Sequence, residues 1–169
     1  MTLHQRLLNF VPLASALLFS VTDSTSTWAT EQLSDLASPQ QRVFANVEWA
    51  QPNRILGLSE DELHTIMGHV NGLEVRLDTS AFVGRQARIY LRLPLQIRGL
   101  RNAGGLRMEW DARDAFLDGS VIPGTRSLLF EGVVPGSLVR DILNITLHID
   151  SRMVSRELNI EPVYEIETP

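Results

Sequence analysis

A chain of 169 residues with 44% hydrophobic and 21% charged side chains can form one domain with an ordinary core, and it does not have the composition of a disordered protein. Its net charge of −5 disfavours a nucleic-acid partner, and the absence of cysteine excludes disulfides, thiolate nucleophiles and zinc–thiolate sites. All fifteen basic residues are arginine. This bias reflects either a functional need for the planar guanidinium fork or the codon usage of a GC-rich genome.

The first 29 residues have the layout of a secretory signal peptide. An arginine precedes an apolar run over residues 7–21, and the small residues Thr27 and Ala29 occupy the two positions that a signal peptidase reads. The run of about fifteen residues is shorter than the roughly 20 that a membrane-spanning helix needs. We expect cleavage after residue 29, with sites near Ser24 or Ser26 as alternatives. An uncleaved anchor and a buried N-terminal helix are the other interpretations.

Cleavage there predicts a periplasmic or secreted (cell-surface) protein whose mature chain has no membrane span. Residues 30–41 are polar and predict a short leader, so we expect the folded domain to cover residues 42–169. The domain begins with the segment RVFANVEW at 42–49, in which apolar and polar side chains largely alternate, as in a half-buried strand.

One short amphipathic helix is predicted near residues 59–70. Ser59 and Glu62 have the spacing of a capping box, in which each side chain satisfies a free main-chain N–H of the first helical turn. An apolar stripe at helical spacing follows, formed by Leu63, Ile66, Met67 and Val70. The pair Asn71-Gly72 is expected to end the helix.

The rest of the chain alternates with the period of a β-strand. The alternating segments are 73–78, 87–93, 106–111, 142–150 and 158–166. Turn pairs separate them, among them Asp118-Gly119, which favours a tight hairpin turn because both residues tolerate positive φ. The pattern predicts an all-β, mainly antiparallel domain, a single β-sandwich or barrel-like fold.

Three aspartates, Asp111, Asp114 and Asp118, lie within eight positions. On a helix they would share one face and form a cation site, but the surrounding strand pattern predicts that Asp111 ends a strand and Asp118 lies in a turn. The spacing does not match an EF-hand loop. A structural role is therefore expected, with loop-bound Ca²⁺ as the alternative, and no other cofactor is predicted.

Arginine is dense between residues 76 and 113. Arg88, Arg92 and Arg107 fall on the polar faces of predicted strands, while the C-terminal strand is rich in glutamate. One interpretation is cross-strand pairing of opposite charges within a sheet, which contributes modestly to stability. The other is a face formed by Arg88, Arg92 and Arg107 that binds an anionic partner.

No catalytic pattern emerges from the sequence. The histidines do not share a helical face, and no G-x-S-x-G elbow or nucleotide-binding motif is present. The sequence predicts an exported, non-catalytic binding or assembly module of the bacterial cell envelope, which recognises a protein or an anionic glycan. The alternative is a small secreted carbohydrate-active or metal-dependent hydrolase.

Self-assembly through edge strands is a further expectation, because exported sandwich subunits can exchange terminal strands. The strand at 158–166 is the one whose alternation favours it. The polar segment 30–41 lacks the alternating apolar pattern that a donor strand needs.

Overall fold

The computed structural model describes residues 28–35, 38, 46–49 and 64–169, with only the main chain at 46–49 and 156. The predicted signal peptide lies outside these residues except for its last two, so it stays a prediction. Within the part of the chain that is described, no helix has the length and apolar character to cross a membrane.

The described residues form eleven strands and three single turns of 3-10 helix. The strands are β1 (Ala29–Leu33), β2 (Asn46–Trp49), β3 (Thr65–Asp78), β4 (Gln86–Arg92), β5 (Arg98–Leu100), β6 (Leu106–Ala112), β7 (Gly119–Val121), β8 (Arg126–Val133), β9 (Leu138–Asp150), β10 (Val154–Asn159) and β11 (Val163–Thr168). The 3-10 turns are Ser80–Phe82, Ala103–Gly105 and Ser151–Met153. The prediction of an all-β, mainly antiparallel fold is confirmed.

Two sheets form a β-sandwich-like arrangement. One has four strands in the order β1-β11-β4-β8, and the other has five in the order β2-β3-β9-β6-β7. Alternate side chains of both sheets belong to one hydrophobic cluster, which includes the fully buried Ile89, Leu91 and Ile166 of the first sheet and Leu77 and Leu143 of the second. The strands β5 and β10 form a separate two-stranded ribbon.

The helix predicted near residues 59–70 is wrong over 65–70, which form the start of β3; residues 59–63 lie outside the described part of the chain. The physical reason is a bulge. Asn71 and Gly72 oppose the single residue Asn144 of β9, and Gly72 has a φ of +74° and donates its N–H to the Asn144 side chain at 3.1 Å. The bulge shifts the buried side chains from even to odd positions, so the strand's alternation is interrupted in the sequence.

The last predicted strand, 158–166, is two strands in the structure. Residues 160–162 separate β10 from β11, and Pro162 among them has no N–H for a strand ladder. β11 is not an edge strand, because it lies between β4 and β1, and β1 pairs with it from Ala29 opposite Thr168 to Leu33 opposite Tyr164. The predicted leader thus contributes a strand to the four-stranded sheet.

Candidate functional site

The three aspartates for which a structural role was expected, with a calcium site as the alternative, do not form a cluster of metal ligands. Asp111 and Asp114 are exposed, and Asp118 accepts a hydrogen bond from the Ala112 N–H at 2.7 Å. Among the described residues, no three histidine or acidic side chains lie together as metal ligands. The predicted calcium site gains no support from the structure, and Asp118 instead closes the loop that follows β6.

A fourth acid, Asp141 of β9, organises that loop. Its side chain is only 4% exposed. Its carboxylate accepts main-chain N–H bonds from Arg113 (3.3 Å), Asp114 (3.0 Å), Phe116 (2.8 Å) and its neighbour Ile142 (2.6 Å). Burial raises the pKa of Asp141, but hydrogen bonds from these four donors lower it by a larger amount. The pKa of Asp141 therefore lies below the usual range for an aspartate. Asp141 therefore has a structural role.

The same loop shows why the hairpin turn predicted at Asp118-Gly119 is wrong. Gly119 is the first residue of β7 and does not have a positive φ. It lies opposite Trp110, and a Cβ added at Gly119 would come within 2.6 Å of the Trp110 ring. The indole N–H donates to the Leu117 carbonyl oxygen at 2.8 Å. Glycine is required there because the buried ring approaches the main chain closely.

Arg88 and Arg92 lie on the outer face of the four-stranded sheet, where they form ion pairs across strands. We call this set the outer arginine network; its members are Arg88, Arg92, Arg126, Glu131, Glu165 and Glu167. Arg88 Nε lies 2.9 Å from Glu131 Oε1. Arg92 Nε lies 2.6 Å from Glu165 Oε1, although its N–H makes no hydrogen bond. The glutamates of β11 thus neutralise arginines of two other strands.

Arg126 is the centre of the outer arginine network. It contacts Glu167 at 2.7 Å and Glu165 at 3.5 Å, and its guanidinium lies 4.2 Å from the centroid of the Tyr90 ring. Burial raises the pKa of Glu167, but hydrogen bonds from Arg126 and Tyr90 lower it more, so that its pKa lies below the usual range for a glutamate. Similarly, the Arg88 guanidinium stacks 4.7 Å from the centroid of Trp28.

Arg107 does not share the face of Arg88 and Arg92. It lies on β6 in the five-stranded sheet, where its neighbours Leu106 and Met108 point into the core. Arg107 Nη2 lies 2.8 Å from Glu109 Oε1, and His148 Nε2 lies 3.2 Å from Glu109 Oε2. The structure therefore separates the three arginines predicted as one anionic-partner face, and each has a glutamate beside it.

A groove lies beside the ribbon of β5 and β10. We call it the β5 groove; residues 95–103 and Ser155 line it, and its volume is about 560 Å³. It exists because the ribbon is irregular: between two paired positions, four residues of β10 oppose only Gly99 of β5. Gly99 has a φ of +92°, a conformation that favours glycine.

Hydrogen bonds to main-chain groups hold the wall of the β5 groove in place. The Ser155 hydroxyl donates to the Gly99 carbonyl oxygen at 3.1 Å, and the Arg101 N–H donates to the Met153 carbonyl oxygen at 2.8 Å. The side chain of Asn102 accepts from the Gly104 N–H at 2.9 Å. The wall of the groove is therefore preorganised, which reduces the conformational entropy lost when a ligand binds.

Arg98 and Arg101 are the charged residues of the β5 groove, and both are exposed. Among the side chains that the structure describes, neither has a carboxylate within ion-pair distance. The arginines described with such a partner are Arg76, Arg88, Arg92, Arg107, Arg126 and Arg152. Leu95, 64% exposed, adds an apolar surface. The sequence analysis did not single out Arg98 or Arg101.

A second, smaller cavity of about 400 Å³ lies on the other side of the 3-10 turn Ala103–Gly105. Arg107, His148 and Asp150 are its ionisable lining residues. Each of these side chains already contacts an oppositely charged or titratable neighbour: Arg107 and His148 contact Glu109, and Asp150 contacts Arg152 at 2.8 Å. This cavity therefore offers a ligand less uncompensated charge than the β5 groove.

Comparison of the chain with protein-family models, with characterised proteins and with solved structures finds no match.

Proposed function

We propose that this protein is an exported, non-catalytic binding module of the bacterial cell envelope and that it recognises an anionic glycan through the β5 groove. The observation that supports the proposal is the pair Arg98 and Arg101. They line one preformed groove, and among the described side chains neither has a carboxylate partner.

The argument rests on competition for the guanidinium group. An arginine that already contacts a glutamate must weaken that contact to bind a ligand, whereas Arg98 and Arg101 have no described carboxylate that competes with a ligand carboxylate or sulfate for the guanidinium. The exposed side chain of Leu95 next to them provides an apolar surface for a sugar ring. A charged oligosaccharide combines both kinds of contact.

Export is supported by the layout of residues 1–29 alone. It is tested by fractionating the producing cells and measuring the intact mass of the chain in each fraction. Recovery of a shortened chain from the periplasm or the medium supports export, and recovery of the full-length chain from the cytoplasm contradicts it.

Binding is tested by retention of the protein on immobilised heparin and polygalacturonate, eluted with a salt gradient. We expect the wild type to be retained at low salt and released as the salt concentration rises, because salt screens the attraction between exposed charges. The double variant R98Q/R101Q should elute at much lower salt. The matched control is R113Q/R140Q, which removes the same charge; neither residue lines the groove or has an ion-pair partner among the described side chains.

Three outcomes contradict the proposal. The first is that the wild type is not retained on either resin. The second is that R113Q/R140Q loses as much retention as R98Q/R101Q, which would indicate non-specific attraction. The third is that R88Q/R92Q alone abolishes retention, which would place the binding site on the outer arginine network. The release of new reducing ends from the glycan by the wild type would support the hydrolase alternative instead.

A further inference from the structure

The strand β1 is the edge of the four-stranded sheet and is held by few side chains. Residues 29–32 are exposed, and Leu33, which is 5% exposed, is the only buried side chain of the strand. By contrast, β11 buries Tyr164, Ile166 and Thr168. Main-chain pairing with β11 and a few surface contacts therefore provide most of the attachment of β1.

Two surface contacts add to this attachment: in the uncleaved chain Trp28 stacks on Arg88, and the Thr30 hydroxyl donates to Glu167 Oε1 at 3.2 Å. Exposed contacts of this kind contribute little because water competes for the same groups.

Just after β1, the Asp78 N–H donates to the Ser34 carbonyl oxygen at 3.0 Å, and the Arg76 N–H donates to the Ser38 hydroxyl at 2.8 Å. These bonds to β3 must also open when β1 is released. A segment with little buried apolar surface is the part of a fold that opens first.

Glu31 explains why β1 is attached weakly. It lies opposite Ile166, so both side chains are on the same side of the sheet, the side on which Ile166 is buried. A carboxylate there cannot enter the core. An inward-pointing charge on an edge strand also opposes the addition of a further strand beyond it. Glu31 thus disfavours aggregation along the outer edge of β1 and leaves the strand with little buried apolar surface.

Release of β1 would leave β11 as an unpaired edge that prefers one particular strand as its partner. The edge of β11 fits the strand Ala29–Leu33, because the two pair antiparallel in continuous register. An open β11 edge is a template for strand pairing, and a second copy of the chain carries the same strand. The occupant that the β11 edge recognises best is therefore β1 of another copy.

We propose that copies of this protein associate by exchanging β1, each copy donating residues 30–33, the part of β1 that remains after cleavage at residue 29, to the β11 edge of another. The exchanged strand makes the same contacts between two copies as it makes within one copy. We therefore expect the exchange to be reversible and to depend on protein concentration. Reciprocal exchange gives a dimer, and head-to-tail exchange gives a ring or an open chain. This assembly does not depend on the β5 groove, which involves β5 and β10 and not β1 or β11.

The exchange is tested by disulfide trapping, for which the absence of native cysteine removes background. Thr30 and Glu167 lie directly opposite each other. One copy carries T30C and a second, size-tagged copy carries E167C, and the two are mixed and oxidised. A disulfide between the two chains in excess of the random background requires that β1 of one copy pair with β11 of the other. We expect this product to accumulate with time and to increase with protein concentration.

Two controls fix the meaning of this result. A single chain with both T30C and E167C should form an internal disulfide, which shows that the substitutions permit docking of β1. A split pair of E109C and S120C, opposite residues of the β6–β7 pairing, should give no product between chains. The proposal is overturned if the internal disulfide forms but the split T30C and E167C pair gives no more product than the control.

Glu31→Val provides a second, independent test. Valine would extend the apolar contact that Leu33 makes, so β1 should be held more firmly and the disulfide between chains should accumulate more slowly. Equal or faster accumulation in E31V contradicts the proposed role of Glu31. Circular dichroism establishes that the variant is folded.

Discussion

The outer face of the four-stranded sheet and the β5 groove both present arginine, but with different surroundings. On the outer face, Arg88, Arg92 and Arg126 lie among glutamates of neighbouring strands. In the β5 groove, Arg98 and Arg101 have no such partner among the described side chains. A dense run of arginine therefore does not by itself identify a binding surface. The position of the carboxylates decides which arginines remain available.

The two regions also differ in how they are held. The outer arginine network lies on regular strands, where directly opposite residues are fixed by register. The β5 groove is formed where the ribbon is irregular and its wall is fixed by hydrogen bonds to main-chain groups. The first arrangement stabilises the sheet, and the second leaves a concave surface whose arginines have no carboxylate partner in the described part of the chain. Substitutions in the two regions should therefore separate effects on stability from effects on binding.

The largest effect on stability is expected away from both regions, at Asp141. Asp141→Asn removes the charge that four main-chain donors share and leaves some of those N–H groups without an acceptor. We expect the free energy of unfolding to fall by roughly 2–3 kcal/mol. Urea denaturation followed by tryptophan fluorescence measures it. An unchanged midpoint would show that the loop after β6 does not depend on Asp141.

Acid should destabilise the protein by protonating the carboxylates of Asp141 and Glu167. The pKa values of Asp141 and Glu167 are lowered in the folded state, so each contributes stability that is fully present above its unfolded pKa. That stability is lost as the pH falls from about 4 through the lower, folded pKa values. Thermal unfolding between pH 6 and pH 2 tests this sign. D141N should show a smaller decrease than the wild type, and a melting temperature that rises on acidification contradicts the account.

A smaller loss of stability is expected from Glu165→Gln, which removes the carboxylate shared by Arg92 and Arg126. We expect about 1 kcal/mol, because a network of partly exposed pairs contributes more than a single surface pair. Retention on the anionic resins should not decrease. If E165Q folds with reduced retention, the outer arginine network takes part in binding.

The smallest effect on stability is expected for R98Q/R101Q, because both side chains are exposed and neither has a described ion-pair partner. The free energy of unfolding should change by no more than about 0.5 kcal/mol. Chemical denaturation alongside the wild type checks this. A larger loss would mean that these arginines support the fold, and their effect on retention would then lose its specificity.

The sequence predicted the fold class because alternation at 87–93, 106–111 and 142–150 is nearly uninterrupted. The alternation of apolar residues did not predict the structure where a bulge shifts the buried side chains between even and odd positions. Asn71-Gly72 shifted the alternation of β3, and in β8 the additional residue Leu129 falls between two paired positions opposite Ile89 and Tyr90. Alternation alone cannot show such a shift, since the partner strand that defines it is distant in the chain.

The candidate site could be predicted even less. Which arginines have carboxylate partners depends on strand register, and β11 brings Glu165 and Glu167 beside β4 from more than seventy positions away. The β5 groove depends on an irregular pairing, for which no periodic pattern exists. Gly99, between Arg98 and Arg101 in the segment IRGLRNAGG, was the available signal, because a glycine in the interior of a strand often marks a bulge.

The central claim is that the anionic ligand lies in the β5 groove, and amide chemical shifts measured on addition of a length-defined heparin oligosaccharide test it most directly. The account predicts that the largest changes fall on residues 97–103 and Ser155, while β4 and β11 change little. Changes concentrated on Arg88, Arg92 and their neighbours, with residues 97–103 unaffected, would contradict it.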